Sequence, residues 1–450
     1  MSRRDAWQQT YERFDPVLPP ARSAWRAARL HSPVKRIVER LDVPFGNPRI
    51  LLAGTVGTGK STELLRVADA RADKELVVVL DLYRLFSAIR DGDALQRIDS
   101  WEVVFQAGLA VLAAAQDSLP YLPKEHVAEL QKAWEKMAEA TDTPRAADLD
   151  LGKIASGMVS AGAVLLPLAG LGGGAGLAAA AGTGIVKAAV DGLRKTVPLG
   201  RSKKSLPDQD DVTQSLLGAV NVIIGYVQHT HRRVLLIIDG LDRIREEERA
   251  LQLLLRSELL GQLACRTLIC APFALRSAPS AAAVPRFDKV VIANEPVMDR
   301  HDPSRPGPGI DFFREVYRLR TSDLGAPDLI PDDCVRKLAY SSGGRARDFV
   351  KLVRETAERA WSADVDQANL EIVDQVIDEA RRERESGLDR GHIDLLREVM
   401  NDPVHELPND PMARKLLDWG HLLPYPNESE WYYPHPLLTL HLLQRRGSTG

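Results

Sequence analysis

Eight residues constrain this chain more than any other feature: Gly54 to Ser61 read GTVGTGKS. Glycines spaced as G-x-x-x-x-G-K-[ST] let successive backbone N–H groups turn inward as an anion nest, and a helix that follows aims its positive N-terminal end at the same place. Gly54, Gly59, Lys60 and Ser61 match the pattern, and Gly57 adds backbone freedom. In such a loop the lysine neutralises the β- and γ-phosphates of a nucleotide, and the serine hydroxyl ligates Mg2+. The flanks agree, because Ile50–Ala53 reads as a short apolar strand and residues 61–73 read as a helix with Leu64, Leu65, Val67 and Ala68 at apolar positions. ATP or ADP is therefore expected on Gly54, Thr55, Val56, Gly57, Thr58, Gly59, Lys60, Ser61 and Thr62.

The rest of a nucleotide site must come from elsewhere in the chain. Leu76–Leu80 is a continuous Val/Leu run of the kind found in buried parallel strands, so strand, loop, helix and strand follow in βαβ order. Helices are expected at Trp101–Leu112, Glu125–Ala140, Val212–Gln228 and Glu246–Leu259, and strands at Val234–Ile238, Arg266–Ala271 and Lys289–Ala293. The segment RRVLLIIDGLDRI ends its apolar run at Asp239, which puts an acid at the carboxyl end of a buried strand, where open parallel sheets bind ligands. Asp239 and Ser61 are the expected Mg2+ ligands. Position 240 is glycine, where many ATPases carry the glutamate that orients the attacking water, and Asp242 is the nearest alternative acid. That pattern predicts slow hydrolysis of ATP to ADP and phosphate, which suits a switch better than a motor.

The C-terminal part differs in kind, with helical patterns at Asp311–Leu319, Asp332–Tyr340, Arg345–Trp361 and Asn369–Arg384. With these residues in view the chain resembles AAA+ and STAND-type P-loop ATPases, the group that includes NACHT and NB-ARC regulators. The order Ile237-Ile238-Asp239-Gly240-Leu241-Asp242 is the NACHT-like form of the second motif, and SSGGRARDFVKLV at Ser341–Val353 resembles the sensor-2 helix of AAA+ proteins. The resemblance implies that Arg347 reaches from a helical lid to the γ-phosphate as a catalytic residue, with Arg345 a weaker substitute. A capped helix with solvated arginines is the plainer alternative. The chain departs from the AAA+ pattern where Pro272-Phe273 follows strand Arg266–Ala271 without the usual polar residue; Arg276 there, and Arg286 as an intermolecular finger, are the nearest candidates.

The tail, with Leu395–Met400, Pro411–Trp419, Leu422–Tyr425 and Trp431–Tyr433, resembles a winged helix. Its candidate recognition helix sets Arg414 and Lys415 against Asp410 and Asp418, and its wing carries Glu428 and Glu430, a poor surface for phosphate neutralisation. A protein partner or a homo-oligomer is expected in preference to DNA. His435, between two prolines, reads as a packing or surface residue. The fold expected is α/β: a P-loop NTPase parallel-sheet core with a helical lid and a C-terminal winged-helix-like domain. Its segments are a helical N-terminus (1–48), the first part of the core (49–150), an insertion with its linker (151–211), the second part of the core (212–300), the lid (301–388) and the winged-helix-like domain (389–450).

The insertion stands out by composition. From Ile154 to Val186 there is no charged residue, and Gly, Ala and Ser make up most of the run, which Pro167 and Gly172–Gly174 interrupt. Its length suits a single span of a ~30 Å hydrocarbon layer, and its small-residue spacings suit close helix packing. Hydrophobic insertions at this place are similar to those of KAP-family NTPases. Ala and Gly contribute little to transfer into lipid, so conditional membrane insertion, a buried or oligomer-forming hairpin and a flexible linker all stand as readings. The bulk composition is that of a soluble globular protein: 44% hydrophobic, 27% charged, net charge −3. Cys265, Cys270 and Cys334 fit no disulfide framework or metal spacing, and the opening residues carry no apolar signal core, so a reducing, cytoplasmic setting is expected, with membrane association through 154–186 as an option. Together these features predict a regulatory ATPase switch, of a type the resemblance connects with bacterial anti-phage defence. The rival reading is a DNA-associated ATPase of origin-recognition or transposition-helper type, and a third is a scaffold that binds nucleotide without turnover.

Overall fold

The computed structural model describes residues 2–17, 23–88, 93–141, 150–166, 206–207, 209–277, 287–326, 328–426, 430–440 and 442–443. These divide into two compact units, Pro33–Ala53 with Glu63–Val291, and Met1–Ser32 with Gly54–Thr62 and Ile292–Gly450.

The first of these is built on a mixed, mainly parallel sheet. Its strands are β1 (Arg49–Gly54), β2 (Leu76–Asp81), β3 (Val164–Leu165), β4 (Val234–Asp239), β5 (Arg266–Pro272) and β6 (Asp288–Val291), in the order β3-β2-β4-β5-β1-β6. β2 and β4, β4 and β5, and β1 and β6 pair in parallel, whereas the two-residue β3 runs antiparallel along β2. β4 and β5 are buried along their whole length, as the unbroken apolar runs VLLII and TLICA require of central strands covered on both faces. Helix Ser100–Ser118 explains its own start: Asp99 and Glu102 form a reciprocal capping box, and sixteen of its residues are buried. Phe105 stacks on Trp134 of helix Lys124–Ala140 at 4.5 Å between ring centroids.

Two expectations change here. Glu246–Leu259, expected as one helix, is a helical turn Glu247–Leu251, a wide π-type turn Gln252–Arg256 and a 3-10 turn Leu260–Gln262. Leu253, Leu254 and Leu255, which fill the π-type turn, are all buried. The final strand begins at Asp288 and stops at Val291, not at Ala293. The insertion also contributes to the sheet: helix Leu151–Ser160 buries Ile154, Ala155 and Met158, and β3 covers the β2 edge through Val79↔Leu165 and Leu80↔Val164. The remainder of that run, residues 167–186, lies outside the described residues. No helix among the described residues is long and apolar enough to cross a membrane.

The second unit is helical. Helices Gly309–Thr321, Asp332–Ser341, Ala346–Ser362 and Leu370–Glu385 surround a core in which Phe313 meets Phe349 at 4.8 Å. The N-terminal helix Arg3–Arg13, capped by Ser2, joins the same core through Trp7, whose indole N–H donates to the Val365 carbonyl. Helices Arg390–Asn401 and Pro411–Trp419 follow, then the antiparallel hairpin of β7 (Leu422–Tyr425) and β8 (Trp431–Pro434), whose Tyr425 and Trp431 rings stack at 4.6 Å. These are the elements expected of the tail.

Candidate functional site

The loop after β1 has the local form its sequence demands. Gly57 and Gly59 have φ of 94° and 98°, a region in which side chains with a Cβ are strained, so the two glycines turn the chain as an anion nest requires. Lys60 is 3% exposed, and its ammonium donates to the Gly54 and Thr55 carbonyls, 2.7 Å each. The Thr55 hydroxyl is buried with no hydrogen-bond partner in the loop, a spare polar group beside the lysine. Helix Lys60–Arg71 follows directly, with Ser61 and Thr62 in its first turn.

Two arginines from distant parts of the chain hold this loop. Arg29 donates from Nη1 to the Thr58 carbonyl (2.8 Å) and from Nη2 to the Ala293 carbonyl (3.2 Å), while its Nε is paired with buried Glu295. Arg345 donates from Nη2 to the Val56 carbonyl (2.5 Å) and from Nη1 to Asp348 (2.9 Å), and its buried Nε has no partner. A Cβ placed on Gly57 would stand 3.2 Å from Arg345 Nη2 and 3.2 Å from the Arg347 Cβ, so the loop and the start of helix Ala346–Ser362 are in close contact. Of the two arginines named from the sequence, Arg345 meets the loop with its guanidinium and Arg347 with its backbone N–H, which donates to the Gly57 carbonyl at 3.0 Å.

Asp348, one turn beyond Arg345, gathers further charge. Its Oδ2 accepts from Arg345, from Arg384 Nη2 (2.6 Å) and from His435 Nε2 (3.3 Å). The His435 Nδ1 accepts from the Leu437 amide, so its proton sits on Nε2 and points at the carboxylate. Burial alone would raise the Asp348 carboxyl, but the Arg345 and Arg384 guanidiniums outweigh it and hold the group far below the usual carboxylate range. Burial, then the charge of Arg384, pushes His435 down to about 3, and the same causes push His421 down to about 4. Both rings are therefore neutral near pH 7, and His435 is a fully buried packing residue whose two ring nitrogens each have a polar contact.

The acids named from the sequence lie at the carboxyl ends of the sheet strands. Asp239 is 8% exposed and accepts from the Gly240 amide at 2.8 Å. Its carboxylate, that of Asp242 and the Cys270 thiol have ligand atoms within 4.8 Å of one another. Two carboxylates suit a hard cation such as Mg2+, to which a thiol adds little. Asp81 is the cross-strand partner of Asp239, and burial followed by the charge of Asp239 raises its carboxyl to about 6. Gly240 has φ of 95°, and a Cβ there would come within 2.7 Å of the Tyr83 amide nitrogen. A glutamate at this position is thus excluded by backbone conformation and by space.

Sequence reasoning missed Arg29, Glu295, Asp348 and Arg384. Only Asp348 left a trace, as an i,i+3 partner of Arg345 on a helical pattern.

No protein-family model matches the chain, and no curated protein matches it. Among solved structures, the Aeropyrum pernix ORC2 protein, described with ADPNP and ADP, is similar over 94% of this chain and 93% of its own, at 11% identity and a TM-score of 0.40. The Aeropyrum pernix ORC1 protein in complex with DNA is similar over 96% and 93%, at 13% identity and 0.39. The Thermotoga maritima RuvB Holliday junction branch migration motor is similar over 51% of this chain and 82% of its own, at 15% identity and 0.27. Likeness this low leaves the reading of the chain to its own residues.

Proposed function

We propose that this chain is an ATP-binding switch protein of the AAA+/STAND type that hydrolyses ATP slowly. The loop Gly54–Thr62 carries the reading: its two left-handed glycines, its buried lysine and the Arg345 guanidinium at its rim are what a polyphosphate needs. Asp239 would hold Mg2+, which when bound neutralises phosphate charge. The chain's own groups would do the rest: the loop amides and Lys60 bind and orient the phosphates, and Asp242 orients water. The steric exclusion of glutamate at position 240 supports low turnover. The nucleotide state would control assembly with a protein partner, or exposure of the 154–186 run to a membrane, and a role in anti-phage defence belongs to the same reading.

Lys60→Ala tests it. Nucleotide binding, followed by fluorescence of an ATP analogue, and phosphate release are both expected to fall by about two orders of magnitude, the loss seen when one preorganised donor is removed. Unchanged binding in this variant would overturn the assignment. Flotation with liposomes in ATP, in ADP and without nucleotide tests the membrane arm, which fails if the protein stays with the soluble fraction in all three.

A further inference from the structure

Two guanidiniums, that of buried Arg345 and that of part-buried Arg384, share the part-buried carboxylate of Asp348, and in fact one oxygen of it. His435 adds no charge, so Arg345, Arg384 and Asp348 together carry a surplus of one positive charge in a largely enclosed place. Backbone carbonyls at its two ends absorb that surplus. Arg345 donates to Val56 in the loop, and Arg384 Nη1 donates to Gly420 (2.9 Å) at the start of the β7–β8 hairpin. Carbonyl dipoles are weak substitutes for an anion in a buried setting, and the unpartnered Arg345 Nε faces the turn at Gly57. The cluster is one negative charge short, and its open end is at the loop.

We infer that Asp348 is a positioning residue that couples phosphate occupancy of the loop to the C-terminal hairpin. The inference rests on the nucleotide reading above. A phosphate at the loop gives Arg345 its missing anion, so Arg345 draws less on Asp348. The freed carboxylate then binds Arg384 and His435 more strongly, which tightens the contacts of Gly420 and of the residues at the end of β8. Asp348 touches neither phosphate nor metal in this scheme; it acts through Arg345 on one side and Arg384 on the other. Phosphate and Asp348 thus compete for a single guanidinium, and by reciprocity a tightened hairpin raises the affinity of the loop.

The test is amide hydrogen exchange of the full chain at Leu422–Tyr425 and Trp431–Pro434, with and without ADP, in the wild type and in Asp348→Asn. In the wild type ADP is expected to slow exchange in the hairpin by about fivefold or more, the lower end of usual coupling between sites. Asp348→Asn keeps the shape and removes the charge; it should still bind a fluorescent ADP analogue, yet lose the response of the hairpin. Asp348→Glu should restore part of it. A purely structural role predicts faster exchange in Asp348→Asn with the ADP response intact, and that result would overturn the inference, as would a wild-type hairpin indifferent to ADP. If Asp348→Asn does not fold, Arg384→Gln removes one of the two guanidiniums that meet Gly420 and should weaken the ADP response of the hairpin. Failure of the wild type to bind nucleotide at all would instead overturn the assignment of the loop.

Discussion

Among the described residues, one arginine–carboxylate cluster in each unit uses the same chemistry to a different end. In the sheet unit, Arg71 and Arg266 share Glu75, each on a different oxygen, and Arg71 also reaches Asp42 at the surface. That cluster ties helix Lys60–Arg71 to the amino end of β5, and its two guanidiniums are spread over two carboxylates, the second of which also holds Lys74. In the helical unit, Arg345 and Arg384 crowd onto one oxygen of Asp348, with carbonyls taking the remaining donors. The difference lies in how the load is shared: both oxygens of Glu75 are used, one for each guanidinium, whereas a single oxygen of Asp348 carries both arginines beside a glycine nest.

The largest expected effect breaks the Glu75 cluster. Glu75→Gln leaves two buried guanidiniums without their carboxylate and should cost about 3–5 kcal/mol, read as a lower urea midpoint. Nucleotide affinity of the folded fraction should not change; if it falls with stability, the two clusters are not functionally distinct. Next comes Arg345→Ala, expected to weaken nucleotide binding about 10- to 100-fold, or about 1.4–3 kcal/mol, the range of a charge-assisted contact. Arg266→Ala, its counterpart in the other cluster, should leave affinity unaltered.

Acidity gives the smallest effect and separates the regions by sign. The raised Asp81 means that the folded protein holds this proton more tightly than the unfolded chain. Its contribution is present below the ordinary aspartate value of 3.8 and is lost as pH rises through about 6, so Asp81→Asn should gain about 2 kcal/mol over the wild type at pH 7 and nothing at pH 4. His435 and His421 are lowered, so the unfolded chain takes their protons more readily. Their contribution is present above the ordinary histidine value of 6.5 and is lost as pH falls toward about 4 and then about 3. Urea midpoints of Asp81→Asn and His435→Gln from pH 4 to 7 should therefore diverge from the wild type at opposite ends of the range, and parallel curves would refute both assignments.

Much of the scaffold was legible because its signals are local. Asp410 followed by Pro411 starts a helix, since the acid caps the free amides and proline needs no donor at the first position, and Gly420 ends it in a left-handed turn. Uninterrupted apolar runs marked β2, β4 and β5, and the spacing of Gly54, Gly59, Lys60 and Ser61 marked the loop. The leucine-rich stretch after Glu247 misled, because a helical period and a run of fully buried leucines look alike until the packing partners are known.

The sequence by itself determined the strand–loop–helix with its glycine spacing, and the position of Asp239 at a strand's end. Which arginine meets the loop, and which carboxylate holds it there, only the tertiary structure decided. Arg29 and Glu295 lie 266 residues apart, and Asp348 finds partners 36 and 87 residues away. The reason is physical: a charged side chain in a helical pattern reads as a solvated face, and folding alone decides whether water or another charge surrounds it. The glycine after Asp239 shows the same division. Its identity was plain in the sequence, but the left-handed turn and the Tyr83 backbone that bar any side chain there became visible only in three dimensions.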